Sequence, residues 1–194
     1  MSGVSVLPAV GLLVLTVFCA RPAGSGTVRR LLLAQAVLLA LTLLALALTG
    51  RVPMANALLG IGFAGGECVV LWLRAGRWRE SAEPAGVWPI ALALGAAWIG
   101  FRLLPTGSMA DDGSVASAAL GVVLAGMVAL VFARSDRSRW AALLSAGRGA
   151  LLLVALSPRC DWVAWLMVLL PQALFLQRFC SRPVWSELAG ADEA

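Results

Sequence analysis

Two side chains of opposite charge, Glu67 and Arg148, interrupt long apolar stretches of this 194-residue sequence. An ionisable group inside such a stretch is costly in a bilayer unless it is paired or hydrated, so each residue is a candidate functional group. In one interpretation they form an intramembrane ion pair or line a hydrated proton path. In the other, each faces a water-filled edge or a partner protein, because arginine can extend towards an interface. The sequence leaves both open.

The residue composition excludes several kinds of chemical site. Without histidine, bis-histidine haem ligation and histidine-based metal sites are ruled out. The four cysteines occur singly without C-x-x-C spacing, so we expect them to be packing residues and predict no iron–sulfur cluster, zinc site or other cofactor. The chain also lacks a phosphate-binding loop, a nucleophile beside a base, and a pair of carboxylates within the apolar stretches. We therefore predict no catalytic site.

Small residues accompany both charged side chains. Gly62-x-x-x-Gly66 precedes Glu67, and Ser145-x-x-x-Gly149 surrounds Arg148. Such spacing allows transmembrane helices to approach closely, and helix packing is the role we assign to these four residues. The alternative is a locally unwound helix that exposes carbonyl groups to an ion. Gln35, in another apolar stretch, is expected to form a hydrogen bond between helices.

The elements that must position these residues are seven apolar stretches. Apolar residues make up 61% of the chain and charged residues 13%, far from the balance of a soluble domain. At about 1.5 Å rise per residue, each stretch can cross a hydrocarbon core of about 30 Å as a helix. We predict an all-α polytopic membrane bundle formed by residues 1–180, followed by a short cytoplasmic tail at 181–194. The stretches are 4–20, 30–49, 53–73, 87–104, 115–133, 139–157 and 160–179.

The distribution of arginine predicts the orientation of the bundle. One set of alternate loops, with the C-terminal tail, holds eleven arginines, and the other set holds three. This asymmetry places the C-terminus in the cytoplasm and the N-terminus outside. The eleven are Arg21, Arg29, Arg30, Arg74, Arg77, Arg79, Arg134, Arg137, Arg139, Arg178 and Arg182, and the three are Arg51, Arg102 and Arg159.

Other charged residues of the sequence lead to further expectations. No positive residue precedes the first apolar stretch, so we expect a retained helix and not an export signal. The net charge of +5 reflects cytoplasmic loops and predicts no nucleic-acid partner. Asp111 and Asp112 are expected in a solvated outer turn, with an external cation site as the alternative. Basic residues that are all arginine suggest a GC-rich bacterium, so the predicted location is its inner membrane.

The layout resembles a known family of membrane proteins. The similarity is strongest at residues 121–126 and 129–135, which form a helix ending in a basic turn, and at 140–150 and 151–156 in the next helix. These segments resemble the E-type membrane subunit of hydrogenase-4, a relative of the K-type subunit of bacterial respiratory complex I. Members of that family carry an acidic residue near the middle of the second helix. Here that position falls at about Gly147, beside Arg148, and the carboxylate is missing.

The resemblance implies an accessory or coupling subunit that packs beside antiporter-like subunits of a complex-I-like or hydrogenase-like ion-translocating assembly. Because arginine effectively does not change its protonation state, we expect this chain not to conduct protons itself. A competing interpretation is an independent transporter or channel for a small solute or ion. Such a protein often has interrupted helices at matching places in two halves, here the third and sixth stretches. A membrane-anchoring or assembly protein is the third possibility.

Overall fold

A computed structural model describes residues 6–19, 25–74, 88–103, 110–133, 136–157 and 162–181, and these ranges contain helices without any strand. Each predicted apolar stretch contains one helix, which confirms the all-α class. The predicted tail lies outside the described residues except for Ser181, the last residue of α7. The helices are α1 (Val6–Cys19), α2 (Ser25–Leu48), α3 (Met54–Arg74), α4 (Trp88–Leu103), α5 (Ala110–Phe132), α6 (Asp136–Leu156) and α7 (Trp162–Ser181).

Three of these helices contain a segment long and apolar enough to cross a membrane. The segments are Gly26–Leu48, Gly113–Phe132 and Ser138–Leu156. The other four helices contain shorter apolar segments, Val6–Cys19, Met54–Val70, Pro89–Gly100 and Trp162–Leu174. Membrane association therefore follows from the three long segments, whereas seven crossings and the orientation of the termini stay predictions.

A tight turn joins α2 to α3. Gly50 has a φ of 71°, a backbone conformation that glycine adopts without steric cost. The amide of Arg51 then donates to the carbonyl of Leu46 at 2.9 Å, and this bond closes the last turn of α2. The carbonyl of Pro53 accepts from the amides at the start of α3. This short turn makes α2 and α3 antiparallel neighbours.

Helices α2 and α5 each pack against three other helices. Helix α5 packs against α1, α4 and α6, and α2 packs against α1, α3 and α6. Helix α7 packs mainly against α6. The core is largely leucine and alanine, for example Leu39, Leu43 and Ala119. Outward-facing positions are also apolar, with Leu7 and Val131 each 78% exposed, as expected for side chains in contact with lipid.

The prediction of a turn at Asp111 and Asp112 was wrong, whereas their location on the outer side stays a prediction. Helix α5 begins at Ala110, so both residues belong to the first turn of a helix and not to a turn before it. The sequence interpretation gave the following glycine, Gly113, too much weight as a helix breaker.

Candidate functional site: a buried polar network

Arg148 is the largest fully buried side chain in the described part of the chain, with 0% of its surface exposed. It projects from α6 towards α2, where its Nη1 donates to the carbonyl oxygen of Leu32 at 2.7 Å and to Gln35 Oε1 at 3.0 Å. A helical carbonyl has a second lone pair beyond its intrahelical bond, so Leu32 can accept without disrupting α2. The guanidinium group therefore has neutral acceptors as well as an ion-pair partner.

Glu67 is that ion-pair partner. Its carboxylate on α3 is 1% exposed, and its Oε2 lies 3.4 Å from Arg148 Nη2. Of the alternatives that the sequence left open, the structure therefore favours a direct pair within the chain. The distance is long for a charge-assisted hydrogen bond, which is usually about 2.7–2.9 Å. Glu67 Oε1 and Arg148 Nε are buried without a hydrogen-bond partner among the described residues.

Gln35 connects three helices, as expected from its isolated position in an apolar stretch. Its Oε1 accepts from Ser145 Oγ at 3.0 Å in addition to Arg148. Its Nε2 donates to Thr16 Oγ1 at 3.4 Å and to Cys19 Sγ at 3.3 Å on α1. Both the acceptor and the donor capacity of the amide are thus used. The predicted hydrogen bond between helices is confirmed.

The glycine and serine residues assigned to packing differ in their surroundings. A Cβ placed on Gly149 would lie 2.8 Å from the carbonyl oxygen of Ala119, so α5 and α6 approach too closely for a side chain. Ser145 is fully buried and uses its hydroxyl for the bond to Gln35. Gly62 and Gly66 are different, because no described atom of another helix lies within 4 Å of their Cβ positions. These two glycines do not mediate packing within the described chain.

The glycines do not unwind their helices. Helix α3 is continuous from Met54 to Arg74, and α6 is continuous from Asp136 to Leu156. The alternative that glycine exposes carbonyl groups near Glu67 or Arg148 for an ion was therefore wrong. Interrupted helices would also have favoured the transporter, and neither α3 nor α6 is interrupted.

Sequence reasoning missed several members of the network. The carbonyl of Leu32 carries no residue-specific signal. Thr16 had a detectable signal, since it is a hydroxyl in an apolar helix, where it also donates to the carbonyl of Leu12 at 2.9 Å. Cys19 was expected only to pack, but its sulfur accepts from Gln35. Gln172 on α7 was not missed, because the sequence suggests it as the partner of a carbonyl freed by Pro171. It is 4% exposed and lies against Gly147, where any Cβ would clash with its Nε2.

The arrangement holds a pair of opposite charges in the interior of the helix bundle. No cluster of three histidine, cysteine, aspartate or glutamate residues suited to a metal ion occurs among the described residues. Within the network, Glu67 and Cys19 are the side chains that can exchange a proton, and Arg148 effectively cannot. The contacts that the structure shows at this site are an ion pair and hydrogen bonds between helices.

Comparison with known proteins found no matching family, no matching curated protein and no matching solved structure.

Proposed function

We propose that this protein is an accessory or coupling membrane subunit of a complex-I-like or hydrogenase-like ion-translocating assembly in a bacterial inner membrane. It packs beside antiporter-like subunits and does not conduct protons itself. The observation that carries the proposal is the Arg148–Glu67 pair, buried at 0% and 1% exposure and held by α2, α3 and α6. Intramembrane ionisable groups of this kind characterise ion-coupled proteins. The resemblance to the hydrogenase-4 membrane protein suggests the type of assembly.

The hydrogen bonds of the network support a static role. The arginine side chain is a permanent cation in proteins. The groups that link Arg148 to α1 are an amide, a hydroxyl and a thiol with their bonds committed to one another. A proton wire needs a series of groups that change protonation or reorient. A permanent positive charge beside one carboxylate can instead set the electrostatic potential felt by an ion path in a neighbouring subunit.

One face of α3 supports a role within a larger assembly. Gly62, Gly65 and Gly66 are exposed, and the space above each is open for at least 4 Å. Transmembrane helices associate largely by close packing, for which exposed glycines are suited. By contrast, other helical glycines of this chain, such as Gly126 and Gly149, already contact a neighbouring helix. The α3 glycines are therefore the place where we expect a helix of another subunit.

Purification from native membranes in a mild detergent tests the proposal. The chain should co-purify with other membrane proteins that include antiporter-like subunits, and Gly66→Leu should reduce their recovery. Gly95→Leu is the matched control, because Gly95 is also exposed with no described atom within 4 Å, but lies on α4. A chain that purifies alone and moves ions in liposomes would instead establish the independent transporter.

A further inference from the structure

A second buried amide, that of Gln172 on α7, lies against Gly147, the chain neighbour of Arg148. Gln172 Oε1 is buried without a hydrogen-bond partner among the described residues, as are Glu67 Oε1 and Arg148 Nε. Buried polar atoms in native structures are nearly always satisfied by protein or by an ordered water. The three atoms are two acceptors and one donor, a set that one small molecule able both to donate and to accept can satisfy.

Two independent sets of contacts place these atoms at the same depth. In the first, α2 and α3 are antiparallel, with Leu43 against Gly60 at one end and Arg29 stacked on Trp72 at the other. This register sets Glu67 level with Gln35, to which Arg148 is hydrogen-bonded. Gly147, the neighbour of Arg148, contacts Gln172.

The second observation is a side chain of α7 that reaches α3. Trp165 on α7 reaches Gly60 on α3, at 3.7 Å from its Cβ position. Arg148 on α6 pairs with Glu67 on α3, and its neighbour Gly147 contacts Gln172 on α7, so Glu67 and Gln172 lie at the same level of α6. Two turns further along each helix lie Glu67 and Gln172, because seven residues span about two turns. The two sets of contacts agree in placing Glu67, Arg148 and Gln172 at one level of α3, α6 and α7.

We propose that these three side chains border one space between α3, α6 and α7 and that this space binds an ordered water molecule. The water donates its two protons to Glu67 Oε1 and Gln172 Oε1 and accepts from Arg148 Nε, so it has the two to four polar partners that a buried water requires. A cation such as Na⁺ would find the same two oxygen atoms, but the guanidinium group that lies 3.4 Å from the Glu67 carboxylate repels it. A neutral donor avoids this repulsion. The site belongs to the chain itself and does not depend on the proposed assembly.

A crystal structure of the wild-type protein in a lipid phase, at a resolution that shows ordered water, tests the site directly. We expect a density peak about 2.7–3.0 Å from Glu67 Oε1 and Gln172 Oε1, unchanged when Na⁺ is replaced by choline. Three outcomes would overturn the proposal: a space without density, a direct hydrogen bond between the two side chains, or a peak at the shorter distance typical of a metal ligand that disappears without Na⁺.

Unfolding measurements in detergent provide a second test. Gln172→Met keeps most of the side-chain volume but removes the acceptor, and it should lower the thermal midpoint. The loss should be smaller in a Glu67→Gln background, because the water then has already lost its charged acceptor. Gln177→Met, at an exposed position of α7, is the control and should have little effect. Equal losses from Gln172→Met in both backgrounds would contradict a shared water.

Discussion

At the scale of single residues, the surroundings of Arg148 decide what the charge can do. The ion pair with Glu67 is one contact of 3.4 Å, whereas the bond to the Leu32 carbonyl is 2.7 Å. The neutral acceptors therefore orient the guanidinium group, and Glu67 supplies the opposite charge. A buried pair is not necessarily stabilising as a whole, but the loss of one partner leaves an uncompensated charge.

A double-mutant cycle tests this pair. Arg148→Ala and Glu67→Ala should each lower the free energy of unfolding by about 3–5 kcal/mol, and the double variant should lose less than the sum. Chemical or thermal unfolding in detergent measures the coupling. Additive losses would show that the two charges are stabilised by different partners.

Exchange of the two charges should not restore stability. From sequence alone, a swapped pair would be expected to recover part of the attraction. In the structure, however, a carboxylate at position 148 would face the Leu32 carbonyl and Gln35 Oε1, which are both acceptors. We therefore expect the swapped variant E67R/R148E to be no more stable than either single alanine variant, and recovery to the wild-type midpoint would disprove this orientation.

Gln35 gives a further prediction at this scale. Gln35→Leu removes the bonds that join α2 to α1 and α6, and leaves buried polar atoms unpaired on both sides. The expected loss is about 1–3 kcal/mol in the free energy of unfolding. Thr42→Val is the matched control, because the hydroxyl of Thr42 is buried in the same helix but bonds only its own helix, at Leu38. Similar losses in the two variants would mean that the links between helices contribute nothing.

At the scale of elements, glycine has two different uses in this bundle. A Cβ on Gly126 would lie 2.7 Å from the amide nitrogen of Ala146, and a Cβ on Gly100 would lie 2.6 Å from the Cα of Gly121. These glycines allow α4, α5 and α6 to pack backbone against backbone. The glycines on the exposed face of α3 have no such neighbour in the described chain. They lower the helix propensity of α3 without an intramolecular benefit that the structure reveals.

Alanine substitutions separate these two uses. Gly126→Ala and Gly149→Ala should lower the free energy of unfolding of the isolated chain by about 1–3 kcal/mol, because backbone atoms must move to admit the methyl group. Gly66→Ala should leave it unchanged or raise it by up to about 1 kcal/mol through helix propensity. Thermal unfolding of the three purified variants measures the difference. A destabilised Gly66→Ala variant would contradict the open surface.

At the scale of the whole molecule, the arginine distribution predicts how the bundle is oriented in the membrane. One contact between α2 and α3 bears on this prediction. Arg29 at the start of α2 stacks on Trp72 near the end of α3, 5.9 Å from the ring centroid. An arginine–tryptophan contact of this kind suits the level of the lipid headgroups. It lies at the end of the bundle that the arginine distribution assigns to the cytoplasm.

Reporter fusions test the orientation and the number of crossings together. A reporter fused after Asp112 should be active outside the cytoplasm, and one fused after Ala194 should be active in the cytoplasm. The prediction follows from the arginine asymmetry and from seven crossings. Fusions that report the same compartment would show that one of the four shorter apolar helices does not cross the membrane.

The sequence by itself determined the helical class and the approximate position of each helix, because membrane helices are specified by long apolar runs and by the breakers between them. It also identified Glu67, Arg148 and Gln35, since polar side chains are conspicuous where their burial is costly. These properties depend on local composition, which a single sequence displays directly.

Only the tertiary structure decided which groups meet. Helix rotation and register decide that Glu67 on α3 pairs with Arg148 on α6 and that the carbonyl of Leu32 orients the guanidinium group. They also decide that Gly149 contacts another helix whereas Gly66 does not. In an apolar sequence nearly every helix face is hydrophobic, so periodicity does not identify the inward face. Contacts between helices distant in sequence fix that face, and a pattern read along one chain does not contain them.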